Sequence, residues 1–326
     1  MKVFVTSIIP EIGIEILKKN GIEVIQYKNY LPIKKDELIK KAKGCDALLC
    51  LLSNKIDKEI IEALPELKII SNYAVGFNNI DVEYATQKKI WVTNTPDVLT
   101  DATADLAFAL LLACARRIVE ADQFTREGKF KIWQSDLMLG KDLKNKTIGI
   151  IGAGRIGQAF GKRTTGFGMK ILYYDKKRVP EFEKVTGAKF TSLKQLLKKS
   201  DFISIHTPLN KETYHLIDKE EFDTMKDGAI LINTARGEVV NEKELVNALK
   251  SGKLFAAGLD VYEFEPKITK DLLKMKNVVL LPHIGSATVE TRNKMAELAA
   301  SNVVRVLKGK NPLTPVNEIR QVKRKK

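Results

Sequence analysis

The stretch that decides the fold is Thr147-Ile148-Gly149-Ile150-Ile151-Gly152-Ala153-Gly154-Arg155-Ile156-Gly157, an apolar strand that runs directly into three glycines. A helical pattern follows from Gln158 onward. The GxGxxG spacing means little in isolation, but between a strand and a helix it is typical of a turn that binds a pyrophosphate. Gly152 permits the tight turn, Gly154 lets the backbone approach the anion, and Gly157 lets the helix pack on the strand. We therefore predict a dinucleotide-binding domain around this turn.

An acidic residue at the end of the next predicted strand bears on the choice of dinucleotide. Asp175 lies 175 − 152 = 23 residues after the first glycine. A carboxylate at this distance can accept hydrogen bonds from the adenosine ribose hydroxyls, and it repels a 2′-phosphate. The pattern therefore favours NAD over NADP. Lys176, Lys177 and Arg178 follow at once and keep NADP open as the alternative.

Apolar strand candidates alternate with helical patterns along nearly the whole chain, which is typical of parallel α/β proteins. The first series predicts strands at residues 3–6, 23–27, 47–52, 68–71 and 91–93. The second series predicts strands at residues 147–151, 171–174, 202–206, 230–233, 256–259 and 278–281. We therefore predict an α/β fold with two doubly wound parallel-sheet domains.

Two long helical patterns locate the domain boundaries. One runs from Ala102 to about Arg126, and Thr100 or Asp101 can cap its start. The other runs over residues 289–308, after the second strand series has ended, so it can return to the first domain. The expected division is residues 1–100 with 286–326 in a discontinuous first domain, and residues 101–285 in an inserted second domain.

Composition excludes several classes of protein. The net charge of +15 comes mostly from scattered lysines, and the only basic run is Lys323-Arg324-Lys325-Lys326, so we expect no nucleic-acid partner. No apolar run approaches the roughly 18 residues that span a bilayer, so we expect no membrane association. Cys45, Cys50 and Cys114 suggest neither a disulfide framework nor a metal site, and we expect a cytoplasmic protein.

Candidate catalytic side chains follow the later strands of the second series. Arg236 stands in Asn233-Thr234-Ala235-Arg236-Gly237, just past a strand end, where open α/β sheets gather their active sites. Glu265 follows in the acidic segment at residues 260–266, and His283 follows in Pro282-His283-Ile284-Gly285. A lone histidine is more often structural, but Arg, Glu and His at successive strand ends favour a catalytic set.

These residue types suit oxidation or reduction at a carbon next to a carboxylate. Arg236 can hold a carboxylate through two parallel hydrogen bonds, a geometry that lysine does not match. His283 can donate a proton to a developing alkoxide, or accept one in the reverse direction, and Glu265 can stabilise its imidazolium. We expect Asp260 to face a nicotinamide amide. His206 is the second candidate for the acid, although its place beside Thr207-Pro208 suggests that it borders the cofactor.

These motifs together resemble the D-isomer-specific 2-hydroxyacid dehydrogenase family over nearly the whole chain. Outside the segments already quoted, the resemblance rests on Asn72-Tyr73-Ala74-Val75-Gly76-Phe77-Asn78-Asn79-Ile80-Asp81 and on Asn94-Thr95-Pro96. Within the family, residues 71–81 and 93–104 look closest to the glyoxylate/hydroxypyruvate reductases. The resemblance implies NAD(P)H-dependent, reversible reduction of a small 2-oxo acid to the D-2-hydroxy acid, with a catalytic triad of Arg236, Glu265 and His283.

The resemblance also implies an architecture and a set of contacts. It implies a flavodoxin-like substrate domain, an inserted Rossmann domain, and a homodimer formed through a helix and arm at about residues 102–141. The implied substrate contacts are Leu52, Ser53, Val75, Gly76, Arg236 and His283. The implied cofactor contacts are Thr103, Gly152, Gly154, Arg155, Ile156, Gly157, Asp175, His206, Thr207, Pro208, Thr213, Thr234, Ala235, Asp260 and Gly285.

Three alternatives stand beside the glyoxylate reductase interpretation. Formate dehydrogenases share the fold but carry Gln where this chain has Glu265, which argues against them. Other D-2-hydroxyacid dehydrogenases, of the D-lactate, phosphoglycerate or 2-ketogluconate type, differ in the preferred 2-oxo acid, which the sequence does not fix. A nucleotide-sensing corepressor or scaffold is an alternative of a different class, and turnover of glyoxylate with NADH distinguishes it from an enzyme.

Overall fold

The structure is a computed structural model of the chain, and it describes residues 1–319. The basic run at residues 323–326 lies outside the described residues. The described chain divides into two units, the first comprising Met1–Leu99 with the residues after Ser286, and the second Thr100–Ser286. Each junction lies one residue from the division expected from the sequence.

The strands of the described chain fall into two series. They are β1 (Lys2–Val5), β2 (Glu23–Gln26), β3 (Ala47–Cys50), β4 (Ile69–Asn72), β5 (Trp91–Thr93), β6 (Thr147–Ile151), β7 (Lys170–Tyr174), β8 (Lys189–Phe190), β9 (Phe202–Ile205), β10 (Ala229–Asn233), β11 (Leu254–Leu259) and β12 (Val278–Leu280). Most are short, apolar and buried on both faces, as strands of covered parallel sheets are.

Helices connect most of these strands. They are α1 (Glu11–Lys19), α2 (Lys35–Ala42), α3 (Lys58–Ala63), α4 (Val82–Gln87), α5 (Thr100–Ala115), α6 (Ile118–Arg126), α7 (Arg155–Thr165), α8 (Pro180–Thr186), α9 (Leu193–Lys199), α10 (Lys219–Thr224), α11 (Glu242–Lys250) and α12 (Val289–Leu307). Single 3₁₀ turns lie at Gly237–Val239 and Leu272–Lys274.

The first unit is a doubly wound sheet in the order β2-β1-β3-β4-β5, and all of its pairs are parallel. This is the flavodoxin-like strand order. The last helix, α12, packs against α1 and β4. Ala296 of α12 lies 3.1 Å from the position of a Cβ added to Gly13, so the small residues bring the two helices close together. Ser71 Oγ also donates to the carbonyl of Ala299 at 3.0 Å.

The second unit is a parallel sheet in the order β12-β11-β10-β9-β6-β7-β8. The chain builds outward from β6 through β7 to β8, and then from β9 on the other side of β6 through to β12. The switch point therefore lies between β6 and β9, where open α/β sheets bind ligands beyond the carboxyl ends of the strands. Both units are parallel α/β sheets, which confirms the predicted fold class.

Two details differ from the sequence prediction. The long helix predicted from Ala102 to about Arg126 is in fact two helices, α5 and α6, and Arg117 between them has a left-handed φ of 53°. The two-residue edge strand β8 was not predicted, because both of its residues are exposed and it lacks an apolar pattern. No helix within residues 1–319 is long and apolar enough to cross a bilayer.

Candidate active site

The glycine-rich loop after β6 is shaped by close backbone contacts. Gly152 has a φ of 94°, and a Cβ added there falls 2.8 Å from the His206 backbone. A Cβ added to Gly157 falls 2.0 Å from the carbonyl oxygen of Gly152. Gly154, in contrast, has no atom within 4 Å of its added Cβ and precedes α7 without a side-chain cap. The loop therefore presents an open helix N-terminus, which suits an anion.

Asp175 lies against this loop. Its Oδ2 accepts a hydrogen bond from the Ala153 backbone N–H at 2.7 Å, and its Oδ1 accepts one from the Lys176 N–H at 2.6 Å. The carboxylate predicted to contact a ribose is therefore held against the glycine-rich turn.

Two cations that follow Asp175 have acidic partners of their own. Arg178 makes a two-armed contact with Glu183 at 2.8 and 2.7 Å, and the Lys176 ammonium pairs with Glu212. The Arg178 guanidinium, together with the Tyr173 hydroxyl, lowers the pKa of Glu183 to about 2. A phosphate bound near this loop would therefore have to compete with Glu212 and Glu183 for these two cations.

Two buried polar atoms near the switch point have no hydrogen-bond partner among the described residues. They are Nδ1 of His206 and Oγ1 of Thr234. The other ring nitrogen of His206 lies 2.9 Å from Ser204 Oγ, and burial lowers the pKa of His206 to about 3. His206 is therefore neutral at pH 7 and is a poor candidate for the proton donor. Buried polar atoms without a partner are consistent with a polar ligand that supplies the missing hydrogen bonds.

The turn after β10 is built by Asn233. Its Oδ1 accepts from the Ala235 N–H at 3.0 Å, and its Nδ2 donates to the carbonyl of Arg236 at 2.9 Å. The Arg236 Nη1 donates to the Ala235 carbonyl at 2.6 Å. Burial lowers the pKa of the Arg236 guanidinium from its ordinary value, while the charges of Glu265 and Glu238 act to raise it.

Glu265 and His283 are brought together, although 18 residues separate them in the sequence. The Nδ1 atom of His283 lies 3.0 Å from Oε2 of Glu265, and about a third of each side chain is exposed, 34% and 35%. The Tyr262 N–H donates to the other oxygen of Glu265 at 3.0 Å. Burial alone would raise the pKa of Glu265, but the hydrogen bond and charge of His283 outweigh it and the pKa lies below its ordinary value.

Asp260 holds the turn that bears His283. It accepts from the N–H groups of Ile284 and Gly285, both at 2.7 Å, so both of its oxygens are engaged. Burial raises the pKa of Asp260, against these hydrogen bonds and the charge of His283. His283 itself has a left-handed φ of 56°, a strained conformation for a non-glycine residue. Thr103 lies beside the same turn, 3.3 Å from the added Cβ of Gly285.

The predicted substrate loops of the first unit are held by asparagines that belong to the sequence motifs but for which no role was predicted. Asn94 Nδ2 donates to the Val75 carbonyl and Asn72 Nδ2 to the Gly76 carbonyl, both at 2.8 Å. Asn79 Nδ2 donates to the carbonyls of Leu51 and Asn54 at 3.2 and 3.0 Å. These bonds fix the backbone on either side of Leu52 and Ser53. The asparagines at the strand ends were the available signal.

The residues of the second unit fit a nicotinamide dinucleotide. The open helix N-terminus at Gly154, the acid at Asp175 and the orphaned atoms of His206 and Thr234 follow the carboxyl ends of β6, β7, β9 and β10, the strands on either side of the switch point. Thr213, a further predicted contact, follows β9, and its Oγ1 donates to the Pro208 carbonyl at 2.7 Å. No cluster that could hold a metal ion occurs within residues 1–319.

Comparison with known proteins agrees with this geometry. Residues 108–285 match the family model of the D-isomer specific 2-hydroxyacid dehydrogenase NAD binding domain. The chain is 54% identical to a glyoxylate reductase of Thermococcus litoralis over 321 residues, 97% of each chain. Among solved structures it is similar to the TT0316 protein of Thermus thermophilus, with 44% identity, a TM-score of 0.92 and coverage of 97% and 100% of the two chains.

A more distant structure carries ligands. It is an NADPH-dependent glyoxylate/hydroxypyruvate reductase of Sinorhizobium meliloti in complex with NADP and malonate, 30% identical, with a TM-score of 0.88 and coverage of 98% and 99%. The family match spans more than half of this chain, and the curated relative covers nearly all of it. The resemblance inferred from the sequence motifs is thereby confirmed: the chain belongs to the D-isomer-specific 2-hydroxyacid dehydrogenase family and is an NAD(P)-dependent dehydrogenase.

Proposed function

We propose that this chain reduces glyoxylate to its 2-hydroxy acid, accepts hydroxypyruvate as a second substrate, and forms the D configuration where the product is chiral. The observation that carries the proposal is the 3.0 Å contact between Glu265 and His283, in the same unit as the Arg236 turn. Full-length similarity to a glyoxylate reductase supports the choice of substrate.

Arg236 binds the substrate carboxylate in this proposal. Its guanidinium is partly buried, and burial strengthens a two-armed ion pair with a carboxylate while excluding water. Fixing the carboxylate also fixes the neighbouring 2-carbonyl, so the reacting carbon is oriented before the chemical step. The further substrate contacts implied by the family resemblance are the Val75 and Gly76 backbone, Leu52 and Ser53.

His283 supplies the proton. A bound nicotinamide would supply the hydride that the carbonyl carbon takes up. The carbonyl oxygen takes up the electron pair of the broken π bond and receives the Nε2 proton of His283, while Nδ1 stays directed at Glu265. Glu265 stabilises the protonated imidazole before the transfer and holds the ring afterwards, so that the same pair accepts the proton in the reverse direction.

We further propose NADH as the preferred cofactor, with NADPH as the weaker substitute. Asp175 places a carboxylate at the loop, and the nearby cations Lys176 and Arg178 are engaged by Glu212 and Glu183. A 2′-phosphate would meet a negative charge and would compete for both cations. The remaining contacts implied by the family resemblance belong to the same proposal.

A homodimer in the cytoplasm completes the proposal. The segment after α5 exposes several large apolar side chains: Ile118, Val119, Phe130, Ile132, Trp133 and Leu139. Exposed apolar side chains concentrated in one segment support the proposal of a protein–protein interface there. The three cysteines are free and buried, as expected in a reducing compartment.

A substrate panel tests the function. We expect the highest kcat/KM with glyoxylate or hydroxypyruvate and NADH, and lower values with pyruvate, phenylpyruvate and 2-ketogluconate. The Arg236→Ala variant is the control for adventitious reductase activity in the preparation. A higher kcat/KM with pyruvate, phenylpyruvate or 2-ketogluconate would contradict the substrate assignment. NADH binding without turnover of any of these acids would contradict the enzymatic function.

A further inference from the structure

Two buried glutamates lie behind the proposed triad and take no part in the chemistry described above. Glu242 is the first residue of α11 and only 2% exposed. The side chain of Glu263, two residues before Glu265, is 8% exposed. Carboxylates are rarely buried to this extent unless hydrogen bonds compensate for the lost water.

Each glutamate accepts a backbone N–H from the other. Oε1 of Glu242 accepts from the Glu263 N–H at 2.7 Å, and Oε2 of Glu263 accepts from the Glu242 N–H at 3.0 Å. The second oxygen of Glu242 accepts from the Thr269 hydroxyl, and the second oxygen of Glu263 lies 2.7 Å from Nε2 of His215. All four carboxylate oxygens are therefore engaged, and the loop at 263–269 is tied to the start of α11.

His215 connects these glutamates to the turn that bears Arg236. The His215 backbone N–H donates to the carbonyl of Glu238 at 2.8 Å, so His215 joins that turn to Glu263. Gly237, next to Arg236, packs directly on the loop, because a Cβ added there falls 1.8 Å from the carbonyl carbon of Tyr262. The N–H of Tyr262 in turn orients Glu265.

From this arrangement we propose that Glu242 and Glu263 are positioning residues, which hold the loop that bears Glu265 against the turn that bears Arg236. The inference rests on the proposed roles of Arg236, Glu265 and His283. Apolar residues would stabilise a buried loop at least as well as paired carboxylates do. The two carboxylates instead fix the orientation of the loop, since each hydrogen bond tolerates only a narrow range of distance and angle. Displacement of a catalytic group by about 1 Å can cost on the order of 100-fold in rate.

The test compares Glu242→Ala with Glu242→Gln. The amide of glutamine can accept from the Glu263 N–H through its oxygen and donate to the rotatable Thr269 hydroxyl, so it retains both bonds. We expect Glu242→Ala to lower kcat for glyoxylate roughly 10- to 100-fold with little change in KM, and Glu242→Gln to restore most of the activity. Glu244→Ala, on the same turn of α11, is the matched control and retains the parent kcat.

A substrate-independent readout separates positioning from general structural damage. The chain has three histidines, so NMR of ¹³C-labelled histidine resolves the ring signals of His283. In Glu242→Ala these ring signals, measured at one fixed pH, change in the direction that Glu265→Gln produces, because Glu265 no longer stays against the imidazole. Asp260, whose charge also interacts with His283, is unchanged in all variants.

The outcomes decide the proposal separately from the proposed function. A folded Glu242→Ala with the parent kcat and the parent His283 ring signals overturns the positioning role. Lost activity with unchanged His283 ring signals and no rescue by glutamine overturns it too, in favour of a purely structural role. If Glu242→Ala does not fold, Thr269→Val removes one bond to Glu242 and is judged by the same two criteria. If the parent does not reduce glyoxylate, the proposed function fails while the ring signals still test the pair.

Discussion

The glycine-rich loop at residues 152–157 and the turns that bear Arg236, Glu265 and His283 lie in the same unit, but their shapes have different origins. The loop is fixed by backbone packing, such as Gly157 against Gly152 and Gly152 against the His206 backbone. The catalytic turns depend on side-chain hydrogen bonds, some between near neighbours in the chain and others between residues 18 to 25 positions apart, such as Asp260 with Gly285. We therefore expect changes in the loop to act on folding and cofactor binding, and changes in the turns to act on the chemical step.

The strongest test of that separation is His283→Ala. Loss of the proton donor should lower kcat/KM by about 10²–10⁴-fold in both directions. NADH affinity, measured by fluorescence titration, should stay near the parent value, since the phosphate-binding loop does not depend on this side chain. A parallel loss of NADH binding would show that the two regions are not separable.

Arg236→Lys should have the next largest effect, because lysine keeps the charge but loses the two-armed geometry. We expect a loss of about 2–3 kcal/mol, or roughly 30- to 150-fold in kcat/KM with glyoxylate. The loss should appear in substrate binding and orientation. An unchanged kcat/KM would remove Arg236 from the site.

The loop itself is tested by a pair of glycine variants. In Gly157→Ala the new Cβ meets the Gly152 carbonyl, and we expect a loss of about 1–3 kcal/mol of stability, seen as a lower Tm. Gly154→Ala should retain the parent Tm and weaken NADH binding, because its methyl group enters open space at the helix N-terminus. Equal Tm losses in the two variants would contradict the difference in packing.

Glu265→Gln tests the coupling within the catalytic turns through its pH dependence. Reduction needs a protonated His283, so activity falls as the pH rises. The two groups are coupled, since the hydrogen bond and charge of His283 lower the pKa of Glu265. Without this carboxylate the imidazolium is less stable, and we expect the fall in activity at a lower pH than in the parent. A displacement of one pH unit corresponds to about 1.4 kcal/mol. Oxidation needs neutral His283, so its acid limb also moves down, and superimposed profiles would mean that the two side chains are uncoupled.

The smallest expected effect concerns cofactor choice at the rim of the loop. Asp175→Ser removes the charge that repels a 2′-phosphate, and the ratio of kcat/KM for NADPH to NADH should rise by about fivefold, the equivalent of about 1 kcal/mol. Glu183→Gln, which releases Arg178, should move the ratio in the same direction. If neither variant changes the ratio, the acid does not read the ribose.

The sequence was most informative where structure is local. Strand positions and the glycine-rich loop depend on apolar runs and on glycine spacing within a short window, and both were predicted. The family motifs also marked Arg236, Glu265 and His283, because strand ends in a parallel sheet converge on one edge. The proximity of Glu265 and His283 was expected from these strand ends, whereas the hydrogen bonds of Tyr262 and Asp260 that hold their turns were not predicted.

Features that depend on contacts between distant residues were missed. Nothing in the neighbourhood of Glu242 shows that its carboxylate points across to Glu263 and not to solvent, since a charged residue in the first helical turn is ordinarily exposed. No glycine or proline marks the break between α5 and α6 at Arg117, so helical propensity predicted one continuous helix. In both cases tertiary packing outweighs the local preference.

The return of α12 to the first unit has a consequence for biosynthesis. Asn317 Oδ1 accepts from the Val92 N–H at 2.8 Å, and the bond joins residues 225 positions apart. A ribosome releases the whole of the second unit before it releases the helix that covers β4. Until α12 is synthesised, part of one face of the sheet in the first unit stays uncovered, while the inserted unit can already fold. The helix that completes the packing of the first sheet is thus synthesised after the whole inserted unit.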